Sequence, residues 1–233
     1  MPLVRIEGFV LETIDLMTVQ KIKWRNSDVV IGLLIIITLT ILSVVIERAI
    51  NFKPSELVSK SVENLIVLVA ILFLNNKYRL GIFANIKKKV TWEIALLASV
   101  LCVLLNASFG ILLKISPIVP AEFASITRYS LHEKLLYLFY LIGVGPVLEE
   151  ILCRGFFYTI LKNTFNVFWA AVISTIIFIF LHGSVENIVI IGILSLILVY
   201  VYEKTDSLLA AIFTHSVYNA SWLFFTYLGL RPW

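Results

Sequence analysis

The stretch Glu149-Glu150-Ile151-Leu152-Cys153-Arg154 carries the most informative charges of this chain. It places three formal charges inside an apolar run, residues 135–161, that is long enough to cross a bilayer. Charged side chains at such depth are costly and are normally paired, functional or exposed to a water-filled cavity. Glu150 and Arg154 lie on one helical face and are predicted to pair, whereas Glu149 is rotated by about 100° and needs partners from other helices.

The composition indicates a polytopic membrane protein. Of the 233 residues, 60% are hydrophobic and only 15% are charged, and the mean hydropathy is +0.98, far from the balance of a soluble domain. We therefore expect an all-α bundle of about seven transmembrane helices, or eight if an interfacial segment is counted or a span is split. The basic residues flank the spans, so the net charge of +4 predicts contact with membrane lipid and not with nucleic acid.

The chain divides into a short amphipathic start and one membrane domain. Residues 1–28 are too polar to span and are predicted to form an interfacial segment, and residues 29–233 are predicted to form a single membrane domain. The predicted spans are residues 29–46, 62–74, 92–113, 134–161, 167–182, 188–202 and 207–228. Short turns between the last spans predict antiparallel neighbours.

The fourth predicted span contains an irregularity just before Glu149. Gly143, Gly145 and Pro146 occur together there, and Pro146 has no backbone N–H to donate. In an α-helix the Ile142 carbonyl would then lose its partner. An irregular backbone inside a membrane helix is expected only where other groups satisfy the freed carbonyl.

The distribution of basic residues predicts orientation. With the N-terminus inside, the inner segments hold eleven basic residues: Arg5, Lys21, Lys23, Arg25, Lys77, Arg79, Lys87, Lys88, Lys89, Lys162 and Lys204. The outer segments hold seven: Arg48, Lys53, Lys60, Lys114, Arg128, Lys134 and Arg231. The excess predicts a cytoplasmic N-terminus.

Polar residues on the later spans have matching depths. Glu149, His182 and Asn219 each lie 13 to 15 residues from the helix end at one membrane face, which is roughly 20 Å at 1.5 Å per residue. His215 lies one turn shallower than Asn219, and Phe178 lies one turn before His182. These groups are predicted to converge on one intramembrane pocket.

Three motifs carry a family resemblance. Glu149-Glu150-xxx-Arg154, Phe178-xxx-His182 and His215-xxx-Asn219 occur in order on successive helices, and together they resemble the motifs of the CAAX protease and bacteriocin-processing (CPBP, or Abi) family over residues 134–228. The resemblance implies an intramembrane endopeptidase similar to type II CAAX prenyl proteases. Its substrate would be a membrane-associated peptide or a lipid-anchored, CAAX-like protein.

The resemblance also implies roles. Glu149 and His182 would activate a water molecule, and His215 and Asn219 would stabilise the oxyanion of the tetrahedral intermediate. Three residues would support them: Glu150 and Arg154 as a buried ion pair and Phe178 by packing under His182. A carboxylate, imidazoles and an amide suit peptide hydrolysis without a nucleophilic side chain.

Other functions remain open at this level. Glu149, His182 and His215 could bind Zn²⁺ and give an intramembrane metalloprotease. The chain could also be a non-catalytic immunity or binding protein, or a proton-coupled transporter that uses the same carboxylates. We expect no cofactor, because the metal-free arrangement gives every polar group in the pocket a role.

Overall fold

The structure, a computed structural model, describes residues 84–115, 130–182 and 188–228 together with seven isolated positions: Ser27, Ile31, Leu34, Thr38, Ile41, Val45 and Ile66. Apart from those positions, the predicted interfacial segment 1–28 and the first two predicted spans lie outside the described residues. Within the described part of the chain the regular structure is entirely helical, as predicted.

The ranges 84–115, 130–182 and 188–228 contain five helices. They are α1 (Lys89–Ile115), α2 (residues 131–164), α3 (Val167–His182), α4 (Ile188–Thr205) and α5 (Leu208–Tyr227). Four of them, α1, α2, α4 and α5, are long and apolar enough to cross a membrane, and α3 is apolar but shorter. They correspond to the last five predicted spans. The predicted total of seven depends on segments outside the described residues and stays a prediction.

Helix α2 is continuous but changes register twice. Its segments are α-helical Leu131–Phe139, π-helical Tyr140–Val144, α-helical Gly145–Glu150, π-helical Ile151–Tyr158 and α-helical Thr159–Thr164. Single-turn π segments occur frequently at functional sites. Here one precedes the two glutamates and the other follows them, so the helix is wider on both sides of the polar residues.

The first π segment determines which carbonyl Pro146 leaves without a helical hydrogen bond. The Gly145 N–H bonds to the Tyr140 carbonyl, five residues back, and in that register residue 146 would pair with Leu141. Pro146 has no N–H, so the carbonyl without a helical partner is that of Leu141 and not that of Ile142, as an α-helical register predicts. Glycine suits position 145, because a Cβ there would lie 3.3 Å from the Tyr140 carbonyl oxygen, which is a tight contact.

Helix α5 packs along α1 and against α4. Small side chains let these helices approach closely, and they form a buried cluster that comprises Ala95, Ala98, Val201, Ala210 and Ala211. Two polar contacts also join α5 to α1. The Thr214 hydroxyl donates to the Ala95 carbonyl at 3.3 Å, and the Asn106 amide donates to the Tyr218 carbonyl at 2.9 Å.

The burial pattern is that of an integral membrane protein. Charged and strongly polar side chains lie inside the bundle, with Glu150 0%, Arg154 1%, Asn106 0% and His215 1% exposed. Large apolar side chains face outward, including Leu97 at 73% and Phe180 at 80% exposed. Lipid favours this arrangement, with polar side chains inside and apolar side chains outside, because it solvates apolar side chains and cannot hydrogen-bond to polar ones.

The end of the bundle away from the glutamates carries charged groups. Lys162 at the end of α2 forms an ion pair with Glu203 at the end of α4. Asp206, with a positive φ of 51°, reverses the chain, and the Ser207 hydroxyl then accepts from the Ala210 N–H to cap α5. These groups mark one membrane face, as the predicted depths require.

Candidate active site

Glu149 occupies the point where three helices meet. Its Oε2 lies 3.5 Å from His182 Nε2 at the end of α3 and 3.7 Å from His215 Nε2 on α5. The Glu149 side chain is 33% exposed and that of His182 is 25% exposed, so an outside molecule can reach both. The residue that needed partners from other helices therefore has two imidazoles facing it.

The His182 ring is fixed by its own helix. Its Nδ1 lies 2.8 Å from the Phe178 carbonyl one turn earlier, and since a carbonyl oxygen only accepts, Nδ1 carries the hydrogen. In the neutral imidazole Nε2 therefore holds a lone pair directed at Glu149. The Phe178 ring lies against it with centroids 4.2 Å apart, as the sequence predicts.

His215 is fixed by Glu150. Its Nδ1 lies 2.9 Å from Glu150 Oε1, and the carboxylate can only accept, so Nδ1 is again the donor. The neutral His215 ring thus presents a lone pair at Nε2. His215 can donate a hydrogen bond from Nε2 to an oxyanion only in its doubly protonated form, which the predicted oxyanion role requires.

Glu150 and Arg154 form the buried pair that their spacing predicts. Arg154 Nη1 donates to Glu150 Oε1 at 2.9 Å, and the two side chains are 1% and 0% exposed. The same carboxylate oxygen therefore accepts from both Arg154 and His215. Because of this shared oxygen, Glu150 contributes to the geometry of the site as well as to the stability of the helix.

Asn219 meets the backbone irregularity of α2. Its Nδ2 donates to the Leu141 carbonyl at 2.8 Å, the carbonyl that the π register and Pro146 leave without a partner. One amide hydrogen is used there, and among the described residues the second has no partner. Asn219 thus ties α5 to α2 beside Glu149, a structural role that the sequence alone does not predict.

The polar groups around Glu149 present an incomplete hydrogen-bonding arrangement. The Glu149 carboxylate oxygen and the two Nε2 atoms are all acceptors when the histidines are neutral, and they lie within 4.8 Å of one another. Such a set is stabilised by a donor or a cation between its members: a water molecule, an additional proton or a metal ion. Two imidazole nitrogens and a carboxylate oxygen, each ring held through its Nδ1, also fit a zinc site.

Three polar residues of the surroundings were missed by the sequence reasoning. Ser195 and Thr175 contact each other at 3.0 Å and lie beside Arg154. Asn106 on α1 donates to the Ser221 hydroxyl at 2.7 Å, within the same turns of α5 that carry Asn219. A polar residue in the middle of an apolar span is the sequence signal that could have identified them. For serine and threonine this signal is weak, because both are common in membrane helices.

The segment that contains Glu149, His182 and His215 also matches known proteins. Residues 131–221 match the family described as type II CAAX prenyl endopeptidase Rce1-like. A curated protein of Bacillus subtilis (strain 168), named "Putative membrane peptidase YdiL", is 30% identical over 76 residues, which cover 33% of this chain and 31% of that protein. The match thus spans about a third of the relative's length. No solved structure matches the chain.

Proposed function

We propose that this chain is an intramembrane endopeptidase of the CAAX protease and bacteriocin-processing family, because its residues 131–221 match the type II CAAX prenyl endopeptidase Rce1-like family. It hydrolyses a peptide bond of a membrane-associated peptide or CAAX-like protein, with a water molecule activated by Glu149 and His182. The observation that carries the proposal is the partly exposed Glu149 carboxylate facing the Nε2 atoms of two oriented imidazoles.

The proposed reaction needs no covalent intermediate with the enzyme. A water molecule between Glu149 and His182 donates one hydrogen bond to each, and its oxygen attacks the scissile carbonyl carbon while Glu149 takes a proton. The C–N bond of the tetrahedral intermediate then breaks, and the leaving nitrogen takes that proton back from Glu149. Positioned acid–base groups of this kind typically accelerate a reaction about 10²–10⁴-fold.

The oxyanion is stabilised by donors on α5. The free hydrogen of Asn219 Nδ2 is one donor, and His215 is the other when both of its nitrogens carry hydrogens. The Glu150 carboxylate accepts from His215 Nδ1 at 2.9 Å and so orients the ring. Each oxyanion donor in a water-poor site is typically worth about 3 kcal/mol of the barrier.

The test is replacement of Glu149 by glutamine in the full-length protein, purified in detergent. The probe is an internally quenched peptide that ends in a prenylated CAAX box. Glu149→Gln removes the base with little change of shape, so cleavage should fall at least ~100-fold with the melting temperature retained. Glu93→Gln is the matched control, because Glu93 is an exposed carboxylate on α1 that pairs with Lys89 at 3.3 Å. Cleavage by Glu149→Gln at the wild-type rate would exclude this base.

A second candidate is a zinc-dependent protease, and the cluster of Glu149, His182 and His215 ligand atoms favours it. When bound there, zinc would supply a Lewis acid that polarises the scissile carbonyl and the attacking water. These three side chains would hold the ion through Oε2 and the two Nε2 atoms, while the Phe178 carbonyl and Glu150 orient the rings. We propose the metal-free mechanism, because holding an ion would occupy Glu149, the one partly exposed carboxylate that the described residues bring to the two imidazoles. Stoichiometric zinc in the purified protein would reverse that preference.

The proposed orientation has a cytoplasmic N-terminus. The basic-residue excess supports it, and Lys162, paired with Glu203, then lies at the inner face. Glu149 lies 13 residues from Lys162, or roughly 20 Å, so the pocket would lie nearer the outer face. The family resemblance implies cytosolic access instead, and the orientation therefore needs its own experiment.

A further inference from the structure

Arg154 is connected to both histidines of the site. Through Nη1 it bonds to Glu150 at 2.9 Å, and Glu150 bonds to His215 Nδ1 at 2.9 Å. It also reaches the other ring, because the guanidinium carbon lies 4.5 Å from the centroid of Phe178, and Phe178 packs against His182 with centroids 4.2 Å apart. The position of the Arg154 guanidinium therefore affects both imidazoles, that of His215 through Glu150 and that of His182 through Phe178.

Ser195 determines where that guanidinium lies. Arg154 Nη2 donates to the Ser195 carbonyl at 2.9 Å and to the Ser195 hydroxyl at 3.0 Å. Within the described residues Arg154 Nε has no hydrogen-bond partner, so the guanidinium is held by polar contacts only at Glu150 and Ser195. Ser195 belongs to α4, the one helix among the last four that carries none of the three motifs.

The Ser195 hydroxyl is itself held by α3. Arginine can only donate, so Ser195 Oγ accepts from Nη2 and its own hydrogen is available to another acceptor. Thr175 Oγ1 lies 3.0 Å away. Ser195 is 0% and Thr175 8% exposed, and in such surroundings water does not replace a lost contact.

We infer that Ser195 is a positioning residue of the active site and that Thr175 supports it. By fixing Arg154, Ser195 sets the ring orientation of His215 through Glu150 and of His182 through Phe178. The expected effect on catalysis rests on the proposed function. The effect on the orientations of the two imidazole rings does not. The inference extends the site to α4, beyond the residues that the motifs identify.

The kinetic test is Ser195→Ala, assayed with the prenylated, internally quenched peptide. Loss of a buried hydrogen bond to a charged group that orients catalytic side chains should lower kcat about 10-fold, with KM within about twofold, since no substrate contact is removed. The control is Ser99→Ala, since Ser99 is a buried serine whose hydroxyl donates to the Ala95 carbonyl of its own helix at 2.7 Å. Equal kcat values for Ser195→Ala and wild type would overturn the inference.

A second measurement does not depend on cleavage. The chain has 3 histidines, so nitrogen NMR of a histidine-labelled sample gives few ring signals, and the exposed His132 serves as an internal reference. In Ser195→Ala the signals of both His182 and His215 should shift or split, while that of His132 stays in place. Unchanged signals would overturn the inference. If the wild-type protein does not cleave the peptide, the proposed function fails, and the NMR result still decides the role of Ser195.

Thr175 provides a substitution that is milder for folding. Thr175→Val keeps the shape and removes the hydroxyl, whereas Thr175→Ser keeps the hydroxyl and removes a methyl group. If Ser195→Ala does not fold, this pair decides. A kcat that is about threefold or more lower in Thr175→Val, the usual effect of losing a neutral hydrogen bond, and restored in Thr175→Ser supports the role of Thr175 in holding Ser195. Equal kcat values in the two variants overturn it.

Discussion

Removing the charge of Glu150 should destabilise the protein strongly. Glu150 and Arg154 are 0% and 1% exposed and lie 2.9 Å apart, so Glu150→Gln leaves a buried guanidinium without its counter-ion. Breaking a buried pair by removing one partner typically costs about 3–5 kcal/mol. At about 2–4 °C per kcal/mol for a chain of this size, the melting temperature should fall by roughly 6–20 °C.

The double variant Glu150→Gln/Arg154→Met tests whether the instability of Glu150→Gln comes from the unpaired, buried guanidinium. It removes the unpaired guanidinium along with its partner, so it should be clearly more stable than Glu150→Gln alone. Glu150 Oε2 has no hydrogen-bond partner within the described residues, which means that the native pair is incompletely satisfied and its replacement is less costly.

The assay is thermal unfolding in one detergent, followed by tryptophan fluorescence. Glu93→Gln is the matched control, because its pair with Lys89 has side chains 53% and 90% exposed and such pairs contribute little. The reasoning is refuted if Glu150→Gln melts within about 2 °C of wild type, less than 1 kcal/mol on the same scale. It is also refuted if the double variant is as unstable as the single one.

Three further outcomes are expected. Asn219→Ala should lower kcat about 100-fold as an oxyanion donor is lost, and a kcat equal to wild type at saturating peptide would remove Asn219 from the mechanism. Exhaustive treatment with a chelator should leave activity intact, whereas loss that zinc restores would establish the metalloprotease. In intact cells an impermeant thiol reagent should label Ser184→Cys and spare Lys204→Cys, against little background because Cys102 and Cys153 are buried. The reverse labelling would overturn the cytoplasmic N-terminus.

Local features of the site could be predicted because they depend on one helix at a time. The 60% hydrophobic composition fixes the membrane class, and the span predicted over residues 167–182 coincides with α3. The pair of Glu150 with Arg154 follows from a separation of four residues, and so does the packing of Phe178 against His182. Such contacts arise from the pitch of the helix and require no knowledge of its neighbours.

The register of α2 could not be predicted from the sequence. Pro146 identifies where a backbone hydrogen bond is lost. In an α register the Ile142 carbonyl loses its partner, and in a π register the Leu141 carbonyl does. The structure has the π register, with Asn219 donating to Leu141 at 2.8 Å. A contact from another helix is what stabilises that choice.

The membrane class, the order of the last five helices and the pairs within each helix follow from the order of residues along the chain. The assembled bundle is needed to see that both histidines direct Nε2 at Glu149, that His215 bonds to Glu150, and that Ser195 holds Arg154. The physical reason is that lipid and protein interior are almost equally apolar, so hydrophobicity does not fix the rotation of a membrane helix about its axis. Side-chain packing and hydrogen bonds between helices fix that rotation, and they exist only in the assembled bundle.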